Sequence, residues 1–200
     1  MLKEKEVLLA EVFHRVKNNM NIVTSLLNLK KEISTSQEVK DALEDCRNRV
    51  FSMALVHQTI FNNNSILELN FKAYIESLTT EIKNSLRSNR PVEISLDAEL
   101  VMLDLSNAIP CGLILNELIT NSFKYAGSND KPLVINIKLS QHNNLVELIV
   151  RDNGTGLPEN WEQNSHSLGM ELINSLCEQI DGTLQFKNDH GLVFNLVFKV

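Results

Sequence analysis

The stretch Asp152-Asn153-Gly154-Thr155-Gly156 decides how this chain of 200 residues is interpreted. It directly follows residues 145–151, whose apolar pattern predicts a β-strand. The pattern therefore fixes a carboxylate at a strand end and places two glycines where the backbone must turn tightly. Such a turn suits a flat, hydrogen-bonding ligand such as a nucleobase. Asp-Asn-Gly is also common in ordinary hairpin turns, so both interpretations stay open at this point.

The composition narrows the class of protein. Apolar residues make up 43% of the chain, which indicates a folded protein rather than a disordered one. The net charge of −6 argues against nucleic-acid binding and gives no sign of a membrane-surface contact. Cys46, Cys111 and Cys177 are odd in number and far apart, which favours a reducing compartment. We expect a cytoplasmic chain with no membrane contact of its own, whether or not a longer parent protein is membrane-anchored.

The first third of the chain predicts two long helices. Residues 2–33 and 37–61 both place apolar side chains at alternating spacings of four and three, which is a heptad pattern. Residues 34–36 between them predict a turn and a helix N-cap. Because a lone helical hairpin cannot bury both its faces, we expect a homodimer in which two copies form a four-helix bundle. The predicted seam comprises Leu9, Phe13, Val16, Met20, Val23 and Leu27, then Val39, Leu43, Cys46, Val50, Met53, His57 and Ile60.

The composition changes after residues 62–65, which we interpret as a linker between domains at residues 1–65 and 66–200. The second domain mixes strands and helices, with hairpins predominating. This pattern predicts an α+β two-layer sandwich, one sheet with helices on one face. The predicted strands are 66–69, 92–96, 133–139, 145–151, 183–187 and 192–199, and the predicted helices are 71–86, 106–125 and 168–180.

The helix predicted at residues 106–125 carries a polar stripe. Glu117, Asn121 and Lys124 lie at positions i, i+4 and i+7 and therefore share one face. An Asn oxygen can bind Mg²⁺, an ammonium can meet phosphate, and a carboxylate can orient a nucleophile or act through water at a metal. Most such stripes are simply solvated surfaces, and that alternative also stays open.

The helix predicted at residues 168–180 begins with Leu168 and Gly169. Free backbone N–H groups at such a helix N-terminus can bind phosphate, and they can equally be satisfied by Ser167 as an ordinary N-cap. The polar loop at residues 158–167 precedes this helix, and its place in the sequence suits a lid over a ligand.

His14 lies beside the predicted seam, among the polar side chains of Glu11, Lys17 and Asn18, and we expect it to be exposed. An exposed helical histidine is usually only solvated. A neutral imidazole that is free to attack is nonetheless what a phosphoryl acceptor requires.

Several ordered stretches together resemble the second, HWE-related class of bacterial sensor histidine kinases. Residues 13–20 and 25–29 are similar to the phosphoacceptor helix, and residues 47–57 to the second helix of that hairpin. Residues 108–126 look like the N box, 151–157 like the G1 box and 167–172 like the G2 box. The set covers essentially the whole chain, and its order is specific although each box alone is not. Asn116 stands where the HWE subgroup has a histidine, which places the chain with the sister subgroup.

The resemblance implies a dimerisation and histidine-phosphotransfer hairpin followed by a Bergerat-type ATP-binding domain. It implies a protein-histidine kinase that uses ATP and Mg²⁺, is autophosphorylated on His14, and passes the phosphoryl group to an aspartate on the receiver domain of a response regulator. The implied contacts are Asp152 with the adenine amino group, Asn121 with Mg²⁺ and Lys124 with phosphate. Further implied site residues are Gly154 and Gly156, which would shape the pocket, Gly169 with Leu168 beside the phosphates, and Glu117 in the metal shell.

Two questions remain open at the level of the sequence. In ordinary histidine kinases an acidic residue follows the acceptor, whereas here Arg15 follows His14. We therefore hypothesise that Glu11, one turn earlier, orients the imidazole. The alternative function is that of a non-enzymatic histidine phosphotransfer protein with the same fold and a decayed nucleotide site. The intact Asp152 turn argues against that alternative.

Overall fold

The computed structural model describes residues 2–62, 68–85, 91–126, 131–157 and 168–200. The expected lid at residues 158–167 and the linker at residues 63–65 lie outside the described residues. The helices are α1 (Leu2–Ile33), α2 (Gln37–Asn62), α3 (Phe71–Ser85), α4 (Leu105–Tyr125) and α5 (Leu168–Gln179). The strands are β1 (Leu69–Asn70), β2 (Val92–Ala98), β3 (Met102–Leu103), β4 (Leu133–His142), β5 (Leu145–Asp152), β6 (Thr183–Asn188) and β7 (Leu192–Lys199). No helix in these described ranges is long and apolar enough to cross a membrane.

Helices α1 and α2 form the predicted hairpin. The backbone N–H of Val39 donates to the Ser36 hydroxyl at 3.4 Å, which is the N-cap that the sequence predicts. An ion pair between Lys31 and Glu44 joins the two helices at 2.5 Å. Several apolar side chains of α1, including Ile22 and Leu26, remain more than half exposed, as the helices of an incomplete bundle would be.

Helix α2 is buried on a different face from the one that the heptad seam predicts. Val39 and Cys46 of the seam are exposed, whereas Ser52 is fully buried. The reason is that α2 packs on α3 and α4 as well as on α1. The Ser52 hydroxyl lies 2.7 Å from the Tyr74 hydroxyl and donates to the carbonyl oxygen of Gly112 at 3.2 Å. The helical hairpin is therefore fastened to the rest of the chain through α2.

The larger sheet has five strands in the order β2-β4-β5-β7-β6. Strand β2 pairs with β4 in parallel, and the other neighbours are antiparallel. Alternate side chains of β4, β5 and β7 are buried and form the core with α3, α4 and α5. The predicted α+β two-layer sandwich is confirmed.

Two details of the sequence interpretation are wrong. The strand predicted at residues 66–69 is restricted to Leu69–Asn70 in the described part of the chain, and it pairs with β3, which the sequence analysis missed. Two-residue strands are too short to show a periodic pattern. Helix α4 begins at Leu105 and not at residue 106, with Asp104 as its N-cap.

Candidate functional site

A cavity of about 640 Å³ lies where α2, α4 and α5 meet the end of β5. Its walls bring together three stretches of sequence that were singled out separately: the polar stripe on α4, the turn after β5 and the first residues of α5. The predicted site residues that line the cavity are Glu117, Asn121, Lys124, Asp152, Gly156, Leu168 and Gly169. Gly154 does not line it, and packs instead against Ala126 at the end of α4.

Three hydrogen bonds hold Asp152 at the end of the cavity next to β5, which we name the closed end. Its Oδ1 accepts from the backbone N–H groups of Gly154 at 2.8 Å and Leu192 at 3.0 Å. Its Oδ2 accepts from the Ser122 hydroxyl at 2.9 Å. The residue is only 6% exposed, so these bonds fix the orientation of the carboxylate. A carboxylate has about four acceptor positions, which leaves Oδ2 able to accept from a ligand.

Glycines allow the backbone to close around this carboxylate. Gly156 has a φ of +73°, and a Cβ there would lie 2.4 Å from the Asn188 Oδ1. The amide of Asn188 in turn bonds the Leu157 backbone N–H and carbonyl oxygen, each at 2.8 Å, which fastens the turn to β6. Gly191 has a φ of +136°, and a Cβ there would lie 2.0 Å from the Asp152 carbonyl oxygen. Only glycine fits at Gly191 without moving the backbone of Asp152.

The polar stripe on α4 faces helix α2 rather than solvent. Arg49 donates from Nε and Nη2 to the two carboxylate oxygens of Glu117, at 2.8 and 3.0 Å. Lys124 donates from Nζ to both carboxylate oxygens of Asp45, at 2.6 and 2.8 Å. The hydrogen bond to Glu117 raises the pKa of Arg49, so its guanidinium stays charged. The interpretation of this stripe as a solvated surface is therefore wrong for Glu117, whose side chain is 8% exposed.

Asn121 lies on α4 between the two ion pairs and lines the cavity. Its side chain has no hydrogen-bond partner among the residues that the structure describes, so its amide is available to a ligand. The start of α5 lies close by, because a Cβ on Gly169 would be 3.0 Å from Glu117 Oε2 and 4.0 Å from Asn121 Nδ2. Leu168, beside it, is 67% exposed.

The donor set of the cavity fits a nucleotide with Mg²⁺. The described residues contain no group of three or more His, Cys, Asp or Glu side chains that could hold a metal ion alone. Mg²⁺ commonly binds through one or two protein groups together with water and substrate phosphates. The free amide of Asn121 suits such a shared site. Each oxygen of Glu117 accepts one hydrogen bond from Arg49 and keeps a further acceptor position, which leaves Glu117 able to accept from a water of a metal shell while Arg49 stays in place.

His14 is exposed on α1 and is not one of the residues that line the cavity. The Asn18 amide lies 3.3 Å from its Nδ1. The carboxylate of Glu11 accepts instead from Arg15 Nε at 2.8 Å. The orienting role of Glu11 stays a prediction, since the contact that the structure shows at the imidazole comes from Asn18.

Sequence reasoning missed four residues of this site: Asp45, Arg49, Ser122 and Gly191. Ser122 lies on α4 outside the stripe of Glu117, Asn121 and Lys124, so the spacing of that stripe does not indicate it. Asp45 and Arg49 have the opposite charges to Lys124 and Glu117, and each pair of residues shares one face of its helix. That complementarity is the one signal that could have suggested the pairing of α2 with α4.

Comparisons with known proteins agree with this geometry. Residues 11–86 match a family model described as histidine kinase, and residues 106–200 match the histidine kinase-, DNA gyrase B- and HSP90-like ATPase model. The sensor histidine kinase PdtaS of Mycobacterium tuberculosis is 27% identical over the whole of this chain, which spans 40% of that relative's length. The blue-light-activated histidine kinase 2 of Erythrobacter litoralis is 24% identical over 94% of this chain and 56% of its own length.

A solved structure shares the fold over nearly the whole chain. The histidine kinase domain of the Erythrobacter litoralis EL346 blue-light activated histidine kinase superimposes with a TM-score of 0.70 at 22% identity. The match covers 98% of this chain and 93% of that domain. Two family models therefore match in the expected order, the solved structure shares the fold, and the chain belongs to the sensor histidine kinase family, as its transmitter region.

Proposed function

We propose that this chain binds ATP in the cavity between α2, α4 and α5 and transfers its γ-phosphoryl group to His14. The observation that carries the proposal is the convergence of the Asp152 turn, the α4 stripe and the α5 N-terminus on one cavity of about 640 Å³. That volume lies within the usual range for small-molecule pockets.

Asp152 is the adenine-recognising group of this proposal. The free acceptor capacity of its Oδ2 suits the exocyclic amino group of adenine. Guanine has a carbonyl oxygen in that place, which would oppose the carboxylate oxygen without a hydrogen between them. Because Asp152 is buried and held by three donors, it cannot turn away to avoid that repulsion.

The phosphates of ATP would lie toward Lys124, Asn121 and the first backbone N–H groups of α5. Lys124 supplies a positive charge, and the α5 N-terminus at Leu168 and Gly169 supplies backbone donors. Asn121 would hold Mg²⁺, which when bound neutralises charge on the triphosphate. Glu117, still bound by Arg49, would join that shell through a water molecule.

The transfer itself forms a bond between an imidazole nitrogen of His14 and the γ-phosphorus. The bond from that phosphorus to the β–γ bridging oxygen breaks, ADP leaves with the electron pair, and the imidazole loses its proton to solvent. His14 lies outside the cavity in this structure, so α1 must move relative to the nucleotide, or a second copy must supply the histidine. The exposed apolar face of α1 supports a homodimer. The phosphoryl group would then pass to an aspartate on a response-regulator receiver domain.

Incubation with γ-labelled ATP and Mg²⁺ tests the proposal. We expect label on the parent chain, none on His14→Ala or Asp152→Ala, and full label on the control His142→Ala, whose histidine is exposed at the β4–β5 turn. Label that survives in His14→Ala would contradict His14 as the acceptor. A parent chain that takes no label from ATP but accepts phosphate from a phosphorylated receiver would be a non-enzymatic phosphotransfer protein.

A further inference from the structure

Helix α2 supplies one wall of the cavity, through residues that include Asp45, Cys46 and Arg49. We propose that Asp45 is a displaceable gate on the nucleotide site, and that Arg49 is the pivot on which the gate opens. The triphosphate replaces the carboxylate of Asp45 at Lys124, while Arg49 stays bound to Glu117. This inference rests on the proposed function, because it states which protein contacts ATP replaces when it binds at that site.

The ion pair of Lys124 and Asp45, which we call the outer pair, is the one that a triphosphate can displace. The side chains of Lys124 and Asp45 are 36% and 35% exposed, so water and salt screen their attraction. A triphosphate carries several negative charges, whereas Asp45 carries one. Lys124 therefore gains a stronger partner when ATP enters, and Asp45 is left beside a ligand of its own charge sign.

The ion pair of Arg49 and Glu117, which we call the inner pair, stays in place when ATP enters. The side chains of Arg49 and Glu117 are 18% and 8% exposed, and their contact is bidentate. Separating them would leave two largely buried charges without partners, which is far more costly than breaking an exposed pair. Arg49 therefore keeps α2 attached to α4 while the part of α2 before it, including Asp45, moves away.

Two consequences follow from this arrangement. Asp45 lowers the affinity of the resting site for ATP, because the triphosphate must displace it. By thermodynamic reciprocity, ATP binding weakens the contact between Asp45 and Lys124 and so loosens the N-terminal part of α2, which belongs to the helical hairpin that carries His14.

A titration with ATP tests the gate. We expect Asp45→Asn to bind ATP about threefold to tenfold more tightly than the parent, the range that an exposed ion pair and one like-charge contact can supply. Adenosine, which lacks phosphates, should bind both equally. The matched control is Asp41→Asn, which makes the same charge change one turn earlier on α2, where the partner is Gln37. An unchanged or weaker ATP affinity in Asp45→Asn, or an equal gain in Asp41→Asn, overturns the gate.

The thiol of Cys46 reports the movement directly. Cys46 is exposed and lines the cavity beside Asp45, whereas Cys111 and Cys177 are buried, and burial raises the pKa of both thiols. An alkylating reagent should therefore modify Cys46 selectively. We expect ATP to accelerate this modification as α2 loosens, and adenosine to leave its rate unchanged. Protection of Cys46 by ATP means that α2 stays docked over the nucleotide, and overturns the proposal.

The same titration separates this inference from the proposed function. A parent chain that binds no ATP, or binds it equally well with Asp152→Asn, contradicts both. ATP binding that is lost in Asp152→Asn but is identical in the parent and Asp45→Asn leaves the nucleotide site in place and removes only the gate.

Discussion

The two ends of the cavity hold their charged groups in different ways. At the closed end, Asp152 is 6% exposed and is fixed by the backbone N–H groups of Gly154 and Leu192 and by the hydroxyl of Ser122 on α4. At the open end, which is the end next to α2, the side chains of Arg49 and Asp45 hold Glu117 and Lys124. Both holding side chains belong to the second helix of the hairpin. The closed end is fixed mainly by backbone donors, whereas the open end consists of side-chain contacts, of which a ligand can exchange the exposed pair of Lys124 and Asp45. We therefore propose that the first end recognises the base and that the hairpin regulates the site through the second.

The largest effect should come from adding a methyl group to the closed end. Gly191→Ala would place a Cβ 2.0 Å from the Asp152 carbonyl oxygen at a φ of +136°, so the backbone must shift. We expect a loss of about 2–4 kcal/mol in the free energy of unfolding, measured by urea denaturation. Gly169→Ala at the open end meets the Glu117 carboxylate at 3.0 Å and the Asn121 amide at 4.0 Å, both flexible side chains, and should change stability by less than about 1 kcal/mol. Equal losses would show that the open end is as rigid as the closed one.

The next effect concerns nucleotide affinity. Asp152→Asn replaces one carboxylate oxygen by an amide NH₂ group, so a donor opposes either the adenine amino group or a protein donor. We expect the dissociation constant for ATP to rise about tenfold to a hundredfold, measured by calorimetry, and the preference for ATP over GTP to shrink. Asp97→Asn on β2 makes the same charge change at an exposed site and should leave affinity unchanged. A loss of affinity without a loss of base preference would argue that Asp152 does not contact adenine.

The Asp152 turn at the closed end could be predicted from the sequence because its information is local, whereas the donors Ser122 and Leu192 come from distant segments. The alternating run before Asp152 predicts the strand, and the two glycines after it predict the turn, within a dozen residues. The same holds for α1, α2 and α4, whose apolar spacing is a property of each segment alone. The stripe of Glu117, Asn121 and Lys124 was likewise recognised from spacing within one helix.

The open end could not be predicted, because it depends on which distant segment packs on which. A heptad pattern shows that α2 has an apolar face but not that a second face, at Ser52 and Val56, is fully buried. Arg49 therefore gave no sign that it pairs with Glu117. Strands β1 and β3 were missed or misplaced for a related reason, since two paired residues derive their identity from the partner strand rather than from a pattern of their own.

A smaller effect on ATP affinity should follow when Asp152 is kept but one of its hydrogen-bond donors is removed. Ser122→Ala deletes the hydroxyl that donates to Asp152 Oδ2 at 2.9 Å. We expect ATP affinity to fall about threefold, because one of three fixed donors is lost and the carboxylate gains freedom. In the control Ser77→Ala, on α3, the lost hydroxyl donates to a backbone carbonyl oxygen one turn back and contacts no carboxylate. This variant should leave ATP affinity unchanged. An unaltered affinity in Ser122→Ala would mean that the two backbone donors alone fix Asp152.

The smallest expected effect is the coupling energy of the exposed ion pair at the open end. A double-mutant cycle with Asp45→Asn and Lys124→Gln, followed by urea denaturation, should give a coupling energy of about 0.5 kcal/mol that falls further as salt is added, because the pair is one-third exposed. The cycle with Arg49→Gln and Glu117→Gln should give a coupling several times larger and nearly independent of salt, since that pair is largely buried and bidentate. The two pairs join the same two helices and differ in exposure and in contact geometry, so the two couplings show what these properties contribute together. Equal couplings with equal salt dependence would mean that neither pair yields before the other, and α2 would then leave α4 as a whole or not at all.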